Sequence, residues 1–221
     1  GDSPRRRGAV RHRAAAVTMD PALVAIESRF VLATATVALG DTTVPLVHPR
    51  SAEDLINEAD FERDERLPYW ADIWPSAVAM ARVLPTLAPQ PMRTLELGCG
   101  LGLVTVAALQ LRHDVTATDY YDDALLFTRR NALATMAREP HTAIADWRAW
   151  PDSLTAFDLI LASDVLYERQ YAPIVADVIV KALAPGGTAF GADPGLVAIG
   201  EYLRECAARG LQVSEWARVP F

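Results

Sequence analysis

From residue 93 onward, short apolar runs alternate with longer amphipathic runs, and this alternation predicts most of the fold. Runs rich in apolar and β-branched residues predict strands over 93–97, 114–119, 141–147, 156–164, 188–193 and 211–219. Between them, apolar residues recur every three or four positions, which predicts helices over 103–111, 122–137, 171–183 and 195–209. Strands that alternate with helices predict an α/β, Rossmann-like, doubly wound and mostly parallel sheet, with helices on both faces.

Before residue 93 the pattern changes to that of an N-terminal extension. Two alternating runs, 30–39 and 42–47, lie on either side of Gly40-Asp41 and predict a β-hairpin. Pro45 restricts the second of these strands to a sheet edge. Pro75 predicts the start of a helix that ends near Pro85.

Two strongly charged segments precede the predicted sheet. Residues 1–18 carry five arginines, and we expect a non-native or disordered basic tail, with Met19 as the natural start; a basic arm for an anionic surface is the alternative. Residues 51–66 contain seven acids and two arginines, with Ser51 as a candidate helix cap. The ordinary interpretation of this acidic segment is a solvated helix face, and the alternative is an acidic rim that attracts a cationic substrate.

Length and composition limit the possible functions. The 221 residues suit one domain, so we expect a small extension over 19–66 and the main domain over 67–221. The net charge of −7 argues against nucleic acid as a partner, and no apolar run reaches the ~20 residues of a membrane span. Cys99 and Cys206 are far apart in sequence and predict neither a disulfide framework nor a metal site, which suits a cytoplasmic location.

A glycine-rich turn follows the first strand of the predicted sheet. Glu96 is followed by Gly98, Gly100 and Gly102 at alternate positions, just before a helical run. Such a strand-to-helix turn directs free N–H groups toward a ligand, which predicts a nucleoside-cofactor site, with a purely structural turn as the alternative. The dinucleotide fingerprint G-x-G-x-x-G would need glycine at Leu103, so the spacing disfavours a nicotinamide cofactor.

Acidic and aromatic residues follow three further strands of the predicted sheet. Asp119, Asp146-Trp147 and Ser163-Asp164 each come at the carboxyl end of a strand, where open α/β sheets bind their ligands. An acid at the end of the second strand, here Asp119, can accept hydrogen bonds from ribose hydroxyls. No metal-binding, nucleophile-elbow or P-loop motif occurs in the sequence.

These motifs resemble those of the class I (seven-β-strand) S-adenosylmethionine-dependent methyltransferases. More narrowly, the chain resembles the Asp-x-x-Tyr protein lysine methyltransferase group, methyltransferase family 16, over about two-thirds of its length. The segments that carry the resemblance are Tyr69-Trp70, Ile73-Trp74-Pro75-Ser76, residues 95–102, Thr118-Asp119-Tyr120, Ala145-Asp146-Trp147 and residues 162–167.

The resemblance implies roles for individual residues. The cofactor would be S-adenosyl-L-methionine, with S-adenosyl-L-homocysteine as product. Its methionine end would lie at Glu96 and the glycines, its ribose at Asp119, its adenine at Asp146 and Trp147, and its flank at Trp74. The full implied cofactor set is Trp74, Glu96, Gly98, Cys99, Gly100, Gly102, Asp119, Tyr120, Asp146, Trp147 and Ser163, without a metal. Asp164 and Tyr167 would face the nucleophile as the catalytic pair.

The implied function is N-methylation of a protein lysine by a cytoplasmic protein, for which we expect a monomer. A small-molecule N- or O-methyltransferase on the same fold, and a non-catalytic cofactor-binding partner protein, remain alternatives. The resemblance departs from the family pattern in one respect: the sequence ends at Phe221, after the predicted sixth strand, so strand seven is expected to be absent.

Overall fold

The computed structural model describes residues 20–52, 55, 68–195 and 198–217. In these residues the seven strands are β1 (Leu32–Leu39), β2 (Thr42–Pro49), β3 (Arg93–Leu97), β4 (Asp114–Asp119), β5 (His141–Ile144), β6 (Phe157–Ser163) and β7 (Leu183–Ala192). The helices are α1 (Pro21–Arg29), α2 (Pro75–Leu87), α3 (Leu103–Gln110), α4 (Asp122–Met136), α5 (Tyr171–Ala182) and α6 (Ile199–Ala208). Single 3₁₀ turns occur at Tyr69–Ala71 and Trp147–Ala149.

A five-stranded parallel sheet forms the centre of the protein. Its strand order is β5-β4-β3-β6-β7, so the first strand in sequence, β3, lies in the middle. The next two strands in sequence, β4 and β5, lie on one side of β3, and β6 and β7 lie on its other side. The direction in which strands are added thus reverses at β3, and sheets of this kind form a ligand crevice at that position. The predicted α/β, doubly wound fold is confirmed.

Helices cover both faces of this sheet, as its alternating side chains require. On β6, Leu159 and Leu161 pack against α2 and α3, whereas Ile160 and Ala162 pack on the other face against α5. A strand buried on both faces is expected to be continuously apolar, and residues 157–162 of β6 largely are. The core therefore consists of two apolar layers, one on each side of β3 and β6.

The predicted N-terminal hairpin is confirmed, and it packs against the α2–α4 face. β1 and β2 pair antiparallel from Leu32↔Pro49 to Leu39↔Thr42. Asn131 of α4 is fully buried and connects three segments through its side-chain amide. It accepts from Val47 N at 2.8 Å and donates to the carbonyls of Val47 and Leu101 at 3.0 and 2.9 Å. This one side chain thereby links the hairpin, the glycine-rich turn and α4.

Helix α1 was not predicted from the sequence, although it carries an N-terminal signal. Asp20 caps it by accepting a hydrogen bond from Ala22 N at 2.9 Å, and Pro21 occupies its first turn. Its buried Leu23 and Ile26 lie on one side only. Nine residues are too few for the periodic pattern to stand out from the sequence. Three ion pairs join α1 or its cap to α4, namely Arg29–Asp123, Asp20–Arg129 and Glu27–Arg130.

The C-terminal third differs from the sequence-based expectation at two places. The Pro185-Gly186-Gly187 segment was expected to lie between helix and strand, but β7 begins at Leu183 and includes it. The pairing of β7 with β6 shifts there, from Phe157↔Leu183 to Leu159↔Thr188, so the extra residues form a bulge in an edge strand. The last predicted strand, 211–219, is also wrong as far as it is described. Residues 211–217 pair with no described strand, and most of their side chains are exposed.

Smaller differences concern helix ends and segments outside the described residues. Helix α2 continues through Pro85 to Leu87, because a proline in the last turn removes only one backbone donor. The predicted helix start at residue 195 falls instead at Ile199. The predicted tail over 1–18 and nearly all of the acidic segment 51–66 lie outside the described residues. Within the described part, no helix is long and apolar enough to cross a membrane.

The turn from β3 into α3 gives the first prediction. Gly102 has a φ of 82°, and a Cβ built there would lie 2.8 Å from Thr128 Cα. Gly102→Ala should therefore combine left-handed strain with a clash, and should lower the free energy of unfolding by about 2–5 kcal/mol in a urea titration. Gly210→Ala is the matched control, because Gly210 has a φ of 83° and no neighbour within 4 Å. Equal losses for both variants would contradict the close packing of the turn against α4.

Candidate active site

A cavity of about 420 Å³ lies at the carboxyl ends of the parallel strands. Its walls come from the turn after β3, the ends of β4, β5 and β6, and the segment before α2. The lining residues are Tyr69, Trp70, Trp74, Pro75, Gly98, Gly100, Asp119, Tyr120, Tyr121, Ala145, Asp146, Trp147, Ser163, Asp164, Val165, Tyr167, Glu168, Tyr171 and Pro194. Four of these carry carboxylates and none carries a basic side chain. The cavity is therefore suited to a cationic ligand with a large apolar surface.

The glycine-rich turn forms the floor of the cavity and is fixed by hydrogen bonds to its neighbours. Cys99 N donates to Thr118 O at 2.9 Å, and Gly100 N donates to Asp119 Oδ2 at 3.0 Å. Thr128 of α4 donates to Gly100 O at 3.0 Å. Gly98 has a φ of 66°, and a Cβ there would project to 3.5 Å from the Trp147 ring. Glycine at position 98 thus keeps open the space between the turn and Trp147.

Asp119 places a buried carboxylate at the end of β4. Besides accepting from Gly100, it accepts from Tyr121 N through Oδ1 at 3.1 Å. Burial raises the pKa of Asp119, and the backbone N–H groups of Gly100, Tyr121 and Tyr120 oppose this shift by stabilising the anion. Tyr120, the next residue, is exposed at the cavity. The position expected for ribose recognition therefore holds a carboxylate that is also part of the loop's own hydrogen-bond network.

The Asp146-Trp147 pair forms the wall beside β5. Asp146 caps the 3₁₀ turn by accepting from Arg148 N at 3.0 Å, and its two oxygens also accept from the Arg148 guanidinium. The Trp147 ring packs edge-on against Tyr171 with centroids 5.6 Å apart. Its Nε1 is buried and has no hydrogen-bond partner among the described residues. A buried donor without a partner costs about 1–3 kcal/mol, so Trp147 is held there at a cost to stability.

Asp164 lies directly after β6 in a strained backbone conformation. Its φ is 56°, in the left-handed region that aspartate tolerates better than most residues, and its N–H donates to Ala192 O at 3.0 Å. Burial raises the pKa of Asp164, and the nearby Asp193 adds to this, whereas the Ser76 hydroxyl and the N–H groups of Ser76 and Ala77 lower it. These last groups belong to the first turn of α2, whose helix dipole also favours an anion. The Asp164 Oδ2 atom is buried and completes no hydrogen bond of standard geometry with a described residue.

Aromatic rings in mutual contact form the remaining wall. Trp74 contacts Tyr69 with centroids 5.8 Å apart, Tyr69 contacts Tyr167 at 5.2 Å, and Tyr167 contacts Tyr171 at 4.8 Å. Trp74 Nε1 donates to Tyr69 O at 2.7 Å, which fixes the indole. Tyr167 and Asp164 line the same cavity, and the chain between them is irregular.

Three residues of the expected cofactor set lie outside this cavity. Glu96 and Cys99 line a smaller cavity of about 40 Å³ behind the turn, which shares Trp74, Gly98, Gly100 and Ser163 with the main one. Glu96 is almost fully buried and accepts a hydrogen bond from the Thr105 hydroxyl of α3. Gly102 lines neither cavity and packs against α4. The other expected positions, from Trp74 to Tyr167, all line the main cavity.

Nine lining residues are absent from the expected site set. Five of them occur in the motifs of the resemblance without an assigned role, namely Tyr69, Trp70, Pro75, Ala145 and Val165, and four lie outside those motifs, namely Tyr121, Glu168, Tyr171 and Pro194. Tyr171 fits the helical spacing of α5, so the pattern assigned it to the core, although its ring also contacts Tyr167 and Trp147. Pro194 follows β7 at the same sheet edge, so the rule that ligands bind beyond strand ends could have found it. No signal in the sequence distinguishes Glu168 from other surface acids.

The cavity fits the cofactor that the sequence resemblance implies. S-adenosyl-L-methionine combines a sulfonium cation with an aromatic base and a ribose. The lining contains carboxylates that suit a cation, aromatic rings such as Trp147 that suit a base, and the Asp119 carboxylate, which suits ribose hydroxyls. The open space at Gly98, which a Cβ would narrow, lies between Trp147 and Val165.

The buried Glu96 gives a prediction for the ligand-free protein. Burial is the main cause that raises its pKa to about 8, and the negative charge of Asp119 adds to the effect. The folded protein therefore keeps this proton to higher pH than the unfolded chain, so the free energy of unfolding should fall as pH rises from about 5 to 8, by at most ~1.4 kcal/mol per pH unit. Glu96→Gln should remove this fall, so its stability relative to wild type should increase across that range in urea titrations.

A control separates this effect from a general change in charge. Glu201→Gln alters a glutamate of α6 that lies away from both cavities, and it should keep the wild-type dependence of stability on pH. A Glu96→Gln curve parallel to wild type between pH 5 and 8 would contradict a protonated Glu96.

Comparison with known proteins agrees with this geometry. Protein-lysine methyltransferase METTL21E of Mus musculus is 32% identical over 115 residues, which cover 47% of this chain and 47% of the relative. The Bos taurus protein of the same name is 30% identical over 115 residues, covering 47% of this chain and 40% of the relative. The matched segment thus spans less than half the length of these curated relatives.

Two solved structures share the fold. Ribosomal protein L11 methylase from Lactobacillus delbrueckii subsp. bulgaricus matches with a TM-score of 0.52 at 20% identity, over 66% of this chain and 72% of that one. A TehB-like SAM-dependent methyltransferase from Corynebacterium glutamicum matches with a TM-score of 0.50 at 24% identity, over 69% and 83%. Residues 60–190, more than half of the sequence, match the lysine methyltransferase family model. The chain belongs to the lysine methyltransferase family.

Proposed function

We propose that this protein transfers a methyl group from S-adenosyl-L-methionine to the side-chain nitrogen of a lysine in a protein substrate. The observation that carries the proposal is the single cavity in which Asp119, Trp147, Asp164 and Tyr167 meet. Family membership supports the activity, and the names of the curated relatives support a protein lysine as the acceptor.

The cofactor would be held by the floor and two walls of the cavity. Asp119 would accept hydrogen bonds from the ribose, Trp147 would stack on or donate to the base, and Gly98 and Gly100 would let the backbone approach closely. Trp74, Tyr120, Asp146 and Ser163 would complete the contacts. Glu96, Cys99 and Gly102 would act behind this layer by holding the turn. When bound, the cofactor supplies a methyl group activated by its positive sulfonium.

Asp164 would bind the lysine and help to free its lone pair. A lysine amine in water has a pKa of about 10.4, so near neutral pH it carries a proton and cannot act as a nucleophile. The Asp164 carboxylate would hold the ammonium at the cavity wall and direct the nitrogen toward the methyl group. The chain's main tasks are alignment of the two reactants and removal of one proton.

The aromatic wall would limit access to this position. Tyr69, Tyr167 and Tyr171 contact one another beside Asp164 and present ring faces or edges to the cavity. A lysine side chain has a long apolar stem, which such rings can cover while its charged end reaches the carboxylate. The same rings exclude water from the reacting atoms.

The fold and the composition also support proposals on the domain bounds, the cellular location and the partners of this protein. Residues 67–221 would form the methyltransferase domain and residues 19–66 an N-terminal extension. Both cysteines are free and buried, which supports a cytoplasmic location, and the acidic cavity and net charge of −7 support a protein partner and not a nucleic acid. We propose that the protein acts as a monomer.

Cofactor binding tests the first half of the proposal. S-adenosylhomocysteine should raise the melting temperature, whereas NADH should not. Asp119→Ala should weaken S-adenosylhomocysteine binding by roughly 1.5–3 kcal/mol, about 10- to 150-fold, because a charged acceptor of the ribose hydroxyls is lost. Asp114→Ala changes the same residue type at the other, exposed end of β4 and should bind normally in the same calorimetric titration. Wild-type affinity in Asp119→Ala would contradict the ribose assignment.

Turnover tests the second half. With labelled S-adenosylmethionine and a host lysate, the wild-type protein should label protein bands and not small molecules. Asp164→Ala should lose at least about 100-fold in turnover while its cofactor affinity stays close to wild type, because a positioned base is lost from the acceptor side. Tyr167→Phe keeps the ring and should keep most of the turnover. Asp152→Ala, an exposed acid outside the cavity, is the control for loss of charge.

Two results would contradict this assignment. Wild-type methylation by Asp164→Ala would make Asp164 structural. Labelled small molecules without labelled proteins would favour a small-molecule methyltransferase, and cofactor binding without any labelling would favour a non-catalytic partner protein.

A further inference from the structure

We propose that Asp193 is a positioning residue for the transfer, whose carboxylate acts together with burial to make Asp164 the group that takes a proton from the incoming lysine. This inference rests on the proposed function and goes further, since it assigns the proton acceptor and the group that tunes it. Asp193 lies outside the cavity lining and belongs to none of the motifs that carry the sequence resemblance.

The sheet brings Asp193 to Asp164 by simple register. β6 and β7 are parallel neighbours, and Ser163 pairs with Ala192 at their carboxyl ends. The next residue on each strand is an aspartate, and the Asp164 N–H donates to Ala192 O at 3.0 Å. Two carboxylates thus leave adjacent strands at the same level. Asp193 Oδ1 accepts from Gly195 N at 2.8 Å, and this turn fixes the direction of the side chain.

The groups around Asp164 act in opposite directions. Burial is the main influence that destabilises the Asp164 anion, and Asp193 adds to it from the β7 side. On the α2 side, the Ser76 hydroxyl and the N–H groups of Ser76 and Ala77 stabilise the anion. The Ser76 hydroxyl is close enough for this effect, although neither its oxygen nor Asp164 Oδ2 completes a hydrogen bond of standard geometry with a described residue. The other titratable groups that line the cavity near Asp164 are Tyr167 and Glu168, on the loop that follows it. Lysine and arginine are absent from this lining.

A base of this kind completes the proton balance of the reaction. The lysine ammonium gives one proton to Asp164, so one N–H bond breaks, one O–H bond forms, and the nitrogen keeps its electron pair. The pair of aspartates then carries one negative charge instead of two, which relieves their repulsion. After methyl transfer to the neutral amine, the Asp164 proton passes to solvent. Burial alone raises the pKa of Asp164, and the charge of Asp193 adds to that rise, so Asp164 is a stronger base with Asp193 beside it than without it.

Two substitutions should move the basicity of Asp164 in opposite directions. Asp193→Asn removes the charge but keeps an oxygen that can accept from Gly195 N, so the turn is preserved. It should lower the pKa of Asp164. Ser76→Ala removes a group that stabilises the anion and should raise that pKa. Asp152→Asn is the control, because Asp152 is an exposed acid that lines neither cavity. It should leave the pH profile of kcat/KM and the titration of Asp164 at their wild-type values.

The test has one readout that needs activity and one that does not. In the pH profile of kcat/KM, the acidic limb should move to lower pH in Asp193→Asn and to higher pH in Ser76→Ala, and kcat of Asp193→Asn above that limb should fall roughly 3- to 10-fold because its base is weaker. In the ligand-free proteins, the carbon-13 NMR titration of the Asp164 carboxyl, assigned with Asp164→Asn, should move in the same two directions.

Each outcome decides one question. The proposal is supported if the titration of Asp164 moves to lower pH in Asp193→Asn and to higher pH in Ser76→Ala, and if the acidic limb of kcat/KM moves in the same direction as the titration in each variant. An unchanged titration or an unchanged acidic limb in Asp193→Asn overturns it, and so do limbs that shift in the same direction in both variants. A wild-type protein that labels no protein refutes the proposed function instead, and the NMR titration still reports whether Asp193 controls the basicity of Asp164.

Discussion

The hydrogen bond from Gly100 N to Asp119 joins the glycine-rich turn to the neighbouring strand, and the cavity depends on it. At 3.0 Å it holds the turn after β3 against the end of β4, while Thr128 holds the same residue from α4. Because the acceptor is a buried carboxylate, one side chain both shapes the floor of the cavity and forms part of its lining. The geometry of the turn and the chemistry of the cavity wall are therefore coupled through a single group, and neither can change in sequence without the other.

The site concentrates negative charge where burial makes it costly. Glu96, Asp119 and Asp164 each have a raised pKa, and in all three burial is the largest cause. Such groups reduce the stability of the empty protein, and a bound cation would relieve that cost. This is the usual conflict between an optimally stable core and a binding site. A cavity with four carboxylates and no basic lining residue is most favourable when it holds the positive charges of a sulfonium and an ammonium.

Much of this arrangement could be predicted from the sequence, because it follows from strand order and strand ends. Asp119 and Asp164 follow apolar strands, and in a parallel sheet such residues must meet at one edge. What the sequence did not reveal depends on packing between distant segments. Glu96 belongs to the glycine motif, yet its side chain points behind the turn to Thr105. The Pro-Gly-Gly segment was assigned as a helix end, but the pairing of β7 with β6 absorbs it as a bulge.

The fully buried amide of Asn131 makes the N-terminal hairpin part of the site's foundation. Its hydrogen bonds reach β2 at Val47 and the glycine-rich turn at Leu101. A chain trimmed to the five-stranded sheet would keep every strand end that lines the cavity, but it would lose the hydrogen bonds from the hairpin to Asn131 and expose to water the apolar surface that Val37, Val44 and Leu46 cover. The five-stranded sheet with its helices contains the cavity, but a fragment that keeps its packing intact must also include the N-terminal hairpin. Any attempt to transplant this pocket onto another scaffold would have to carry the hairpin with it.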